Sequence, residues 1–211
     1  AQTLVLGAFT ACAALPALAV DVAPGDYAIL PSGTTVGLLY LQHSRATELN
    51  FGGVDVPASE VTANVAVLRG LHYTQIGNEP VLFQMVLPMG GFDTAQIGGA
   101  AQPTSEGLGD LTFGASYWPV KPSNPDTGTT VGVTAFLTAP SGSYEFGEVS
   151  LGGGAWVFTP QVALIQGLGN GVYLDATADV ALSMDHTESG VDVSRDPASQ
   201  VQVAFRKQFG Q

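Results

Sequence analysis

Cysteine, charge and long apolar runs are all scarce in this sequence, and each scarcity removes a class of protein. Cys12 is the only cysteine among 211 residues, and it lies inside an apolar run at the N-terminal end. The rest of the chain therefore has no disulfide framework, no thiolate zinc site and no thiol nucleophile. Cys12 also sits in mid-run rather than at a Leu-x-x-Cys junction, so no lipid anchor is expected. Charged residues make up 11%, against roughly 25% in soluble domains, which predicts that much of the surface does not face water. Six Lys and Arg stand against eighteen Asp and Glu, for a net charge of −12. Nucleic acid, whose phosphates need clustered cations, is excluded as a partner. Beyond the N-terminal run no eighteen-residue apolar stretch exists, so no transmembrane helix is expected.

Chemistry-bearing motifs are equally sparse. His43, His72 and His186 lack metal-ligand spacing, and no metal is assigned. Ser141 and Ser143 stand in a Pro/Gly turn with no histidine motif nearby, so no nucleophilic triad is expected and the chain is read as a non-enzyme. The glycine runs Gly107-x-Gly109 and Gly167-x-Gly169-x-Gly171 precede no helical pattern. They read as turns and strand starts rather than phosphate cradles, and no cofactor is expected.

What is present is export and alternation. Residues 3–15 are apolar and are followed by Pro16 and the small-residue site Ala17-Leu18-Ala19, the end of a secretory signal. No Met and no basic start precede that run, which predicts that the chain begins inside a longer precursor. The expected organisation is a partial signal peptide at 1–19 and one β-domain at 20–211.

Within that domain, apolar and polar residues alternate with the period of a strand. In 172–183 the even positions are Val172, Leu174, Ala176, Ala178, Val180 and Leu182, while Asp175, Thr177 and Asp179 occupy the odd row. Near the C-terminus Val201, Val203, Phe205 and Phe209 alternate with Gln200, Gln202, Arg206 and Gln208, with Lys207 intruding on the apolar row. Val131, Val133, Ala135 and Leu137 form another apolar row, as do Val81, Phe83, Met85 and Leu87. From Val61, the residues Ala63, Val65, Val67, Leu71 and Tyr73 are in phase, interrupted by Arg69. With the segments 35–48, 111–117 and 156–165, eight strands are expected. Their connections alternate: 50–59, 88–108, 139–155 and 184–198 are long, 75–80 and 167–171 short, and 119–128 intermediate. Outer-membrane barrels show this asymmetry between extracellular loops and periplasmic turns.

An apolar-outside sheet in hydrocarbon must close, because each unpaired backbone group there costs several kcal/mol. The expected fold is therefore all-β, an antiparallel up-and-down transmembrane β-barrel in a Gram-negative outer membrane, with lipid and lipopolysaccharide as surroundings. A soluble barrel or sandwich would invert the rows. A secreted lipocalin-like binder and a non-conducting structural or adhesion barrel are the alternative readings. The oligomeric state is left open.

Specific residues follow from this reading. Asp175, Asp179, Gln200, Gln202, Arg206 and Arg69 are candidate lumen-lining residues, with Arg206 and Arg69 as partners for the acids across the interior. Tyr40, Tyr73, Tyr117, Trp118, Trp156, Phe158 and Phe209 are candidates for an interfacial aromatic girdle. Asp185, Glu188, Asp192 and Asp196 crowd one expected extracellular loop, and Asp93, Glu106, Glu145 and Glu148 two others. They read as solvated loop surface that could also bridge to lipopolysaccharide through divalent cations. Asp110, just after Gly109, is placed to hold a long loop by accepting from backbone N–H groups.

Four stretches carry a family resemblance: residues 83–90, Phe-Gln-Met-Val-Leu-Pro-Met-Gly; 107–114, Gly-Leu-Gly-Asp-Leu-Thr-Phe-Gly; 139–144, Ala-Pro-Ser-Gly-Ser-Tyr; and 156–161, Trp-Val-Phe-Thr-Pro-Gln. Together they resemble the meta-pathway phenol-degradation outer-membrane family, over the chain from about residue 35 onward. Gly107, Gly109, Asp110, Pro140, Gly142 and Tyr144 are the candidate family-motif residues. The resemblance implies a β-barrel channel or uptake protein for small hydrophobic or aromatic solutes. It also implies about a dozen strands rather than eight, so that C-terminal strands are expected to be missing. Ser141 and Ser143 stand where the family tends to have Thr and Asp.

Overall fold

The computed structural model describes residues 25–51, 54–188 and 190–209; the expected signal segment lies outside them. The described residues form an all-β structure in which eight long strands follow one another in chain order. They are β1 (Thr35–Ala46), β2 (Glu60–Ile76), β3 (Glu79–Ile97) and β4 (Thr112–Val120). β5 (Thr129–Thr138), β6 (Val157–Gly169), β7 (Val172–Ser183) and β8 (Ala198–Lys207) complete the series. Every neighbouring pair is antiparallel. Two-residue pieces, Ala100–Ala101 and Gly107–Leu108, pair along β3. The sheet curls, since one buried cluster draws side chains from β2, β3, β4, β6 and β7. Among the described residues β1 and β8 are the two edges and do not pair with each other.

The alternation decides which face is which. In β6 the buried row is Val157, Thr159, Gln161, Ala163 and Ile165, while Phe158, Val162 and Leu168 are exposed. In β7 Tyr173, Asp175, Asp179 and Ala181 are buried, and Val180 and Leu182 are exposed. Phe83, Met85, Phe113, Val133 and Leu137 continue the outer apolar surface across β3, β4 and β5. A water-soluble sheet buries its apolar row; this one exposes large apolar side chains on its outer row and buries Thr159, Gln161, Asp175 and Asp179 on its inner one, beside the apolar cluster.

The turns explain the connectivity. Asn170 and Gly171 both take positive φ, 55° and 70°, and link β6 to β7 in two residues, the Asn-Gly arrangement favoured by tight hairpins. The longer 121–128 connection lies beside it, where Asp126 Oδ1 accepts from Gly171 N at 2.7 Å. At the opposite end the connections 47–59, 98–111, 139–156 and 184–197 are all long. Long and short ends therefore separate as the alternating connections predict.

Two expectations need correction. The sequence breaks β3 at Pro88, but the strand continues to Ile97. Pairing with β4 stops at Val86↔Thr112, and the Pro88 carbonyl faces away from β2, accepting from Gly109 N at 2.9 Å. The missing N–H of Pro88 thus falls on the side away from β2, opposite Gly109, and leaves the β2–β3 ladder intact. In β2 the row from Val61 to Tyr73 reads as an apolar row interrupted by Arg69, yet Leu71 and Tyr73 are buried together with Arg69, and Leu68 is exposed on the other row. Both rows of β2 carry apolar residues here, so the buried guanidinium decides the facing: it finds partners inside and would find none in hydrocarbon.

Candidate functional site

The concave face carries a continuous belt of polar side chains from β2 to β7, completed by the segment that precedes β1. Arg69 on β2 donates through Nε and Nη2 to Gln84 Oε1 on β3, at 3.1 and 2.7 Å. Gln84 Nε2 donates to Ser116 Oγ on β4 at 3.4 Å, and Ser116 Oγ meets Thr134 Oγ1 on β5 at 2.7 Å. Thr134 Oγ1 lies 2.6 Å from the Tyr27 hydroxyl, which donates to Gln161 Oε1 on β6 at 2.6 Å. Gln161 Nε2 then donates to Asp179 Oδ2 on β7 at 2.8 Å.

The end groups orient the whole chain. A guanidinium can only donate and a carboxylate only accept, so Ser116 donates to Thr134 and Thr134 to Tyr27. Each hydroxyl then passes on the bond it receives. Hydrogen bonds aligned in one sense from a cation to an anion polarise one another, and in a low-dielectric interior such a series is stronger than its separate members.

Tyr27 closes a gap that the strands leave. Thr134 and Gln161 are register partners on β5 and β6, and the tyrosine hydroxyl stands between their side chains. Trp118 Nε1 donates to the Tyr27 carbonyl at 3.0 Å. Gly132 makes room for the ring, because a Cβ there would lie 2.5 Å from Tyr27 Cδ1. Burial pushes the Tyr27 hydroxyl pKa up to about 12, with the bond from Thr134 and the Arg69 charge opposing. Beside it, Asp26 takes the remaining arm of Arg69 in an ion pair whose guanidinium side chain is 5% exposed.

A second charged group lies nearer the short-turn end. Arg206 on β8 donates through Nε to Asp175 Oδ2 at 2.7 Å, and its guanidinium sits 3.9 Å over the Tyr173 ring. Gln202 accepts from Thr177 at 3.4 Å, and Gln200 is the register partner of Asp179. The structure thus places Asp175, Asp179, Gln200, Gln202, Arg206 and Arg69 on the inner row. The pairing of the basic residues with the acids divides: Arg206 meets Asp175, but Arg69 meets Asp26 and Gln84. No sequence pattern marks Asp26, Tyr27, Gln84, Ser116, Thr134 or Gln161 as members of a site. Four of them are polar residues on inner rows; Asp26 and Tyr27 precede the first strand, where no periodicity marks them.

The aromatic residues split as well. Tyr117, Trp156, Phe158 and Phe209 are exposed, and Tyr40 is half-buried. Tyr73 and Trp118 leave the proposed girdle: they are buried and stacked on each other at 6.3 Å, because both belong to inward rows. His43 donates through Nδ1 to Asn64 Oδ1 at 2.8 Å, and Asn64 to Asp93 at 2.6 Å. His72 meets Thr35 at 2.8 Å; neither histidine joins the belt.

The motif residues gather at the long-loop end. Asp110 Oδ1 accepts from Gly142 N at 2.8 Å, and Oδ2 from Gly153 N at 2.7 Å. Ser143 N donates to the Leu108 carbonyl at 2.6 Å, and Leu111 N to Ser141 Oγ at 3.0 Å. Gly142 cannot carry a side chain, since its Cβ would lie 2.4 Å from the Gly109 carbonyl carbon. Pro140 lies in the same connection, and Gly107, at φ 127°, faces Ser143. The Tyr144 ring lies against Gly154; burial raises the Tyr144 pKa, Arg195 opposes and Glu188 adds to it.

An up-and-down antiparallel sheet with apolar residues outside, a polar and charged interior, and long loops at one end only is the architecture of an outer-membrane β-barrel. The comparisons agree with that class. Residues 44–211 match the model of the family described as the MetA-pathway of phenol degradation, and the chain belongs to that family. It is similar in structure to an outer membrane channel from Pseudomonas putida, with a TM-score of 0.76 and 28% identity, covering 90% of this chain and 72% of that one. No curated protein matches the sequence.

Proposed function

We propose that this protein is an outer-membrane channel or uptake barrel for small hydrophobic or aromatic solutes, not an enzyme. The observation that carries the reading is the inversion of the rows. Val162, Leu168, Val180 and Leu182 face out, while Arg69, Gln161, Asp175 and Asp179 are buried. Only a surrounding as apolar as the outer face makes that arrangement favourable. Lipid, with lipopolysaccharide at the long-loop side, is the expected surrounding, and the short-turn end is expected to face the periplasm. The solute class rests on the family description, and the channel reading on the similarity to an outer membrane channel. In hydrocarbon the open edges of β1 and β8 need partners, and further strands between them are the proposed closure.

A non-conducting barrel is the second reading, favoured by one observation: at the level of Tyr27 the interior is occupied from β2 to β7. Reconstitution separates the two. Expressed with an export signal in a Gram-negative host, the protein is expected to resist alkaline carbonate extraction and to show heat-modifiable gel mobility. Liposomes carrying it are expected to take up phenol-sized solutes faster than empty ones. Uptake no faster than through bare lipid rules out transport and leaves the structural barrel, and a compact monomer soluble without detergent sinks both readings.

A further inference from the structure

Three long connections converge on one backbone step at Gly153. Asp110, at the end of the 98–111 connection, accepts from Gly142 N and Gly153 N. Both amides belong to the 139–156 connection, so one carboxylate bonds that loop at two points eleven residues apart. Arg195, in the 184–197 connection, donates through Nη2 to the Gly153 carbonyl at 2.6 Å. Asp110 Oδ2 and Arg195 Nη1 stand 3.3 and 3.5 Å from the position of a Gly153 Cβ, which brings both charged groups to the same residue. The Nε and Nη1 groups of Arg195 are buried and have no hydrogen-bond partner among the described residues.

The loop held in this way is packed, unlike an ordinary surface excursion. Val149, Ser150, Leu151 and Ala155 are all buried, and Val149–Ser150 pairs in parallel with Thr104–Ser105. Its lacing to the 98–111 connection runs from Ala139 N, which donates to the Leu111 carbonyl at 2.9 Å, to Val149 N, which donates to the Pro103 carbonyl at 2.9 Å. Surface loops bury few side chains and open at little cost. This one has exchanged that freedom for a fixed place at the long-loop end.

We propose that Asp110 is a positioning residue for solute passage: its carboxylate latches the 139–156 loop over the long-loop mouth of the sheet, and releasing it uncovers the mouth. The inference rests on the channel reading given above. Backbone N–H groups bonded to a carboxylate are held more firmly than those bonded to a neutral acceptor, so the latch keeps the loop down while leaving it able to lift as a unit.

The test uses the full chain in planar bilayers and in liposomes, with Asp110→Asn as the main variant. The amide keeps the shape of Asp110 but only one accepting oxygen. Asp126→Asn is the control, since Asp126 accepts from Gly171 N in the same manner at the opposite end. Chymotrypsin cleavage at Tyr144 or Phe146 reports the loop, and single-channel conductance reports the mouth. D110N is expected to speed cleavage about ten-fold, the loss of one charged hydrogen bond, and to raise conductance at least about two-fold; D126N is expected to do neither. Cleavage at the wild-type rate overturns the latch whatever the conductance. Faster cleavage with unchanged conductance overturns the role of the loop as a cover. A wild-type protein that carries no current defeats the channel reading itself, and is recognised because the wild-type trace already fails. Should D110N not fold, as judged by heat-modifiable mobility, Arg195→Met frees Gly153 from the third loop and is read by the same criteria.

Discussion

At the scale of single residues, Tyr27 shows how much one hydroxyl can organise. It receives from Thr134 and gives to Gln161, so Tyr27→Phe leaves a buried donor and a buried acceptor unmatched at once. Such losses cost about 1–3 kcal/mol each, and a lower urea midpoint is the expected result, with the fold retained. The tyrosine also brings a pH dependence. Its pKa is raised to about 12 from an unfolded value near 10. Its contribution is therefore complete below about pH 10 and is lost as pH rises toward 12, because the released phenolate is the better solvated form. Trp118, bonded to the Tyr27 carbonyl, provides the readout: its fluorescence is expected to change more across that window in the wild type than in Tyr27→Phe.

At the scale of elements, the strands differ in how openly their sequence declares them. β7 was legible throughout, because Asp175 and Asp179 alternate with Leu174, Ala176 and Val180, and only one facing keeps both acids out of lipid. β2 was not, since Leu68 on one row balances Leu71 and Tyr73 on the other and periodicity has no sign. β3 reads short in the sequence because Pro88 is a strand breaker unless its missing N–H points away from the long ladder, and pairing partners are not written locally. The belt was half legible: its charged ends on β2 and β7 were named, but the neutral links Gln84, Ser116, Thr134 and Gln161 look like ordinary polar residues until registers align them. Two substitutions test the elements. Val162, 48% exposed on the outer row of β6, is expected to tolerate arginine if the sheet stands in water. In a bilayer the same Val162→Arg is expected to cost about 2–4 kcal/mol in liposome unfolding titrations if the site lies near the midplane. Gly142→Ala drives a methyl into the Gly109 carbonyl and is expected to cost roughly 1–3 kcal/mol, with loss of protease resistance in 139–156.

For the whole molecule, the belt makes distant strands energetically dependent on one another. Gln84 on β3 and Gln161 on β6 touch no common strand, yet the Ser116, Thr134 and Tyr27 hydroxyls connect them. Independent sites add within a few tenths of a kcal/mol. Gln84→Met combined with Gln161→Met is expected to depart from additivity by roughly 0.5–3 kcal/mol, as measured by a double-mutant cycle in denaturant. Additive values would mean that the belt is a row of local bonds. Fold class and outward apolar rows follow from patterns that any stretch of the chain displays. The interior does not, because it is assembled from residues separated by as many as 134 positions.

That separation has a consequence in time. Tyr27 finds its two hydroxyl partners 107 and 134 residues further along the chain, on strands that must already be paired to present them side by side. Contacts of such long range are formed late, after the loop-closure entropy of everything between has been met by nearer pairings. The first described residues of the chain are thus expected to settle among the last, their docking completing the inside of the sheet.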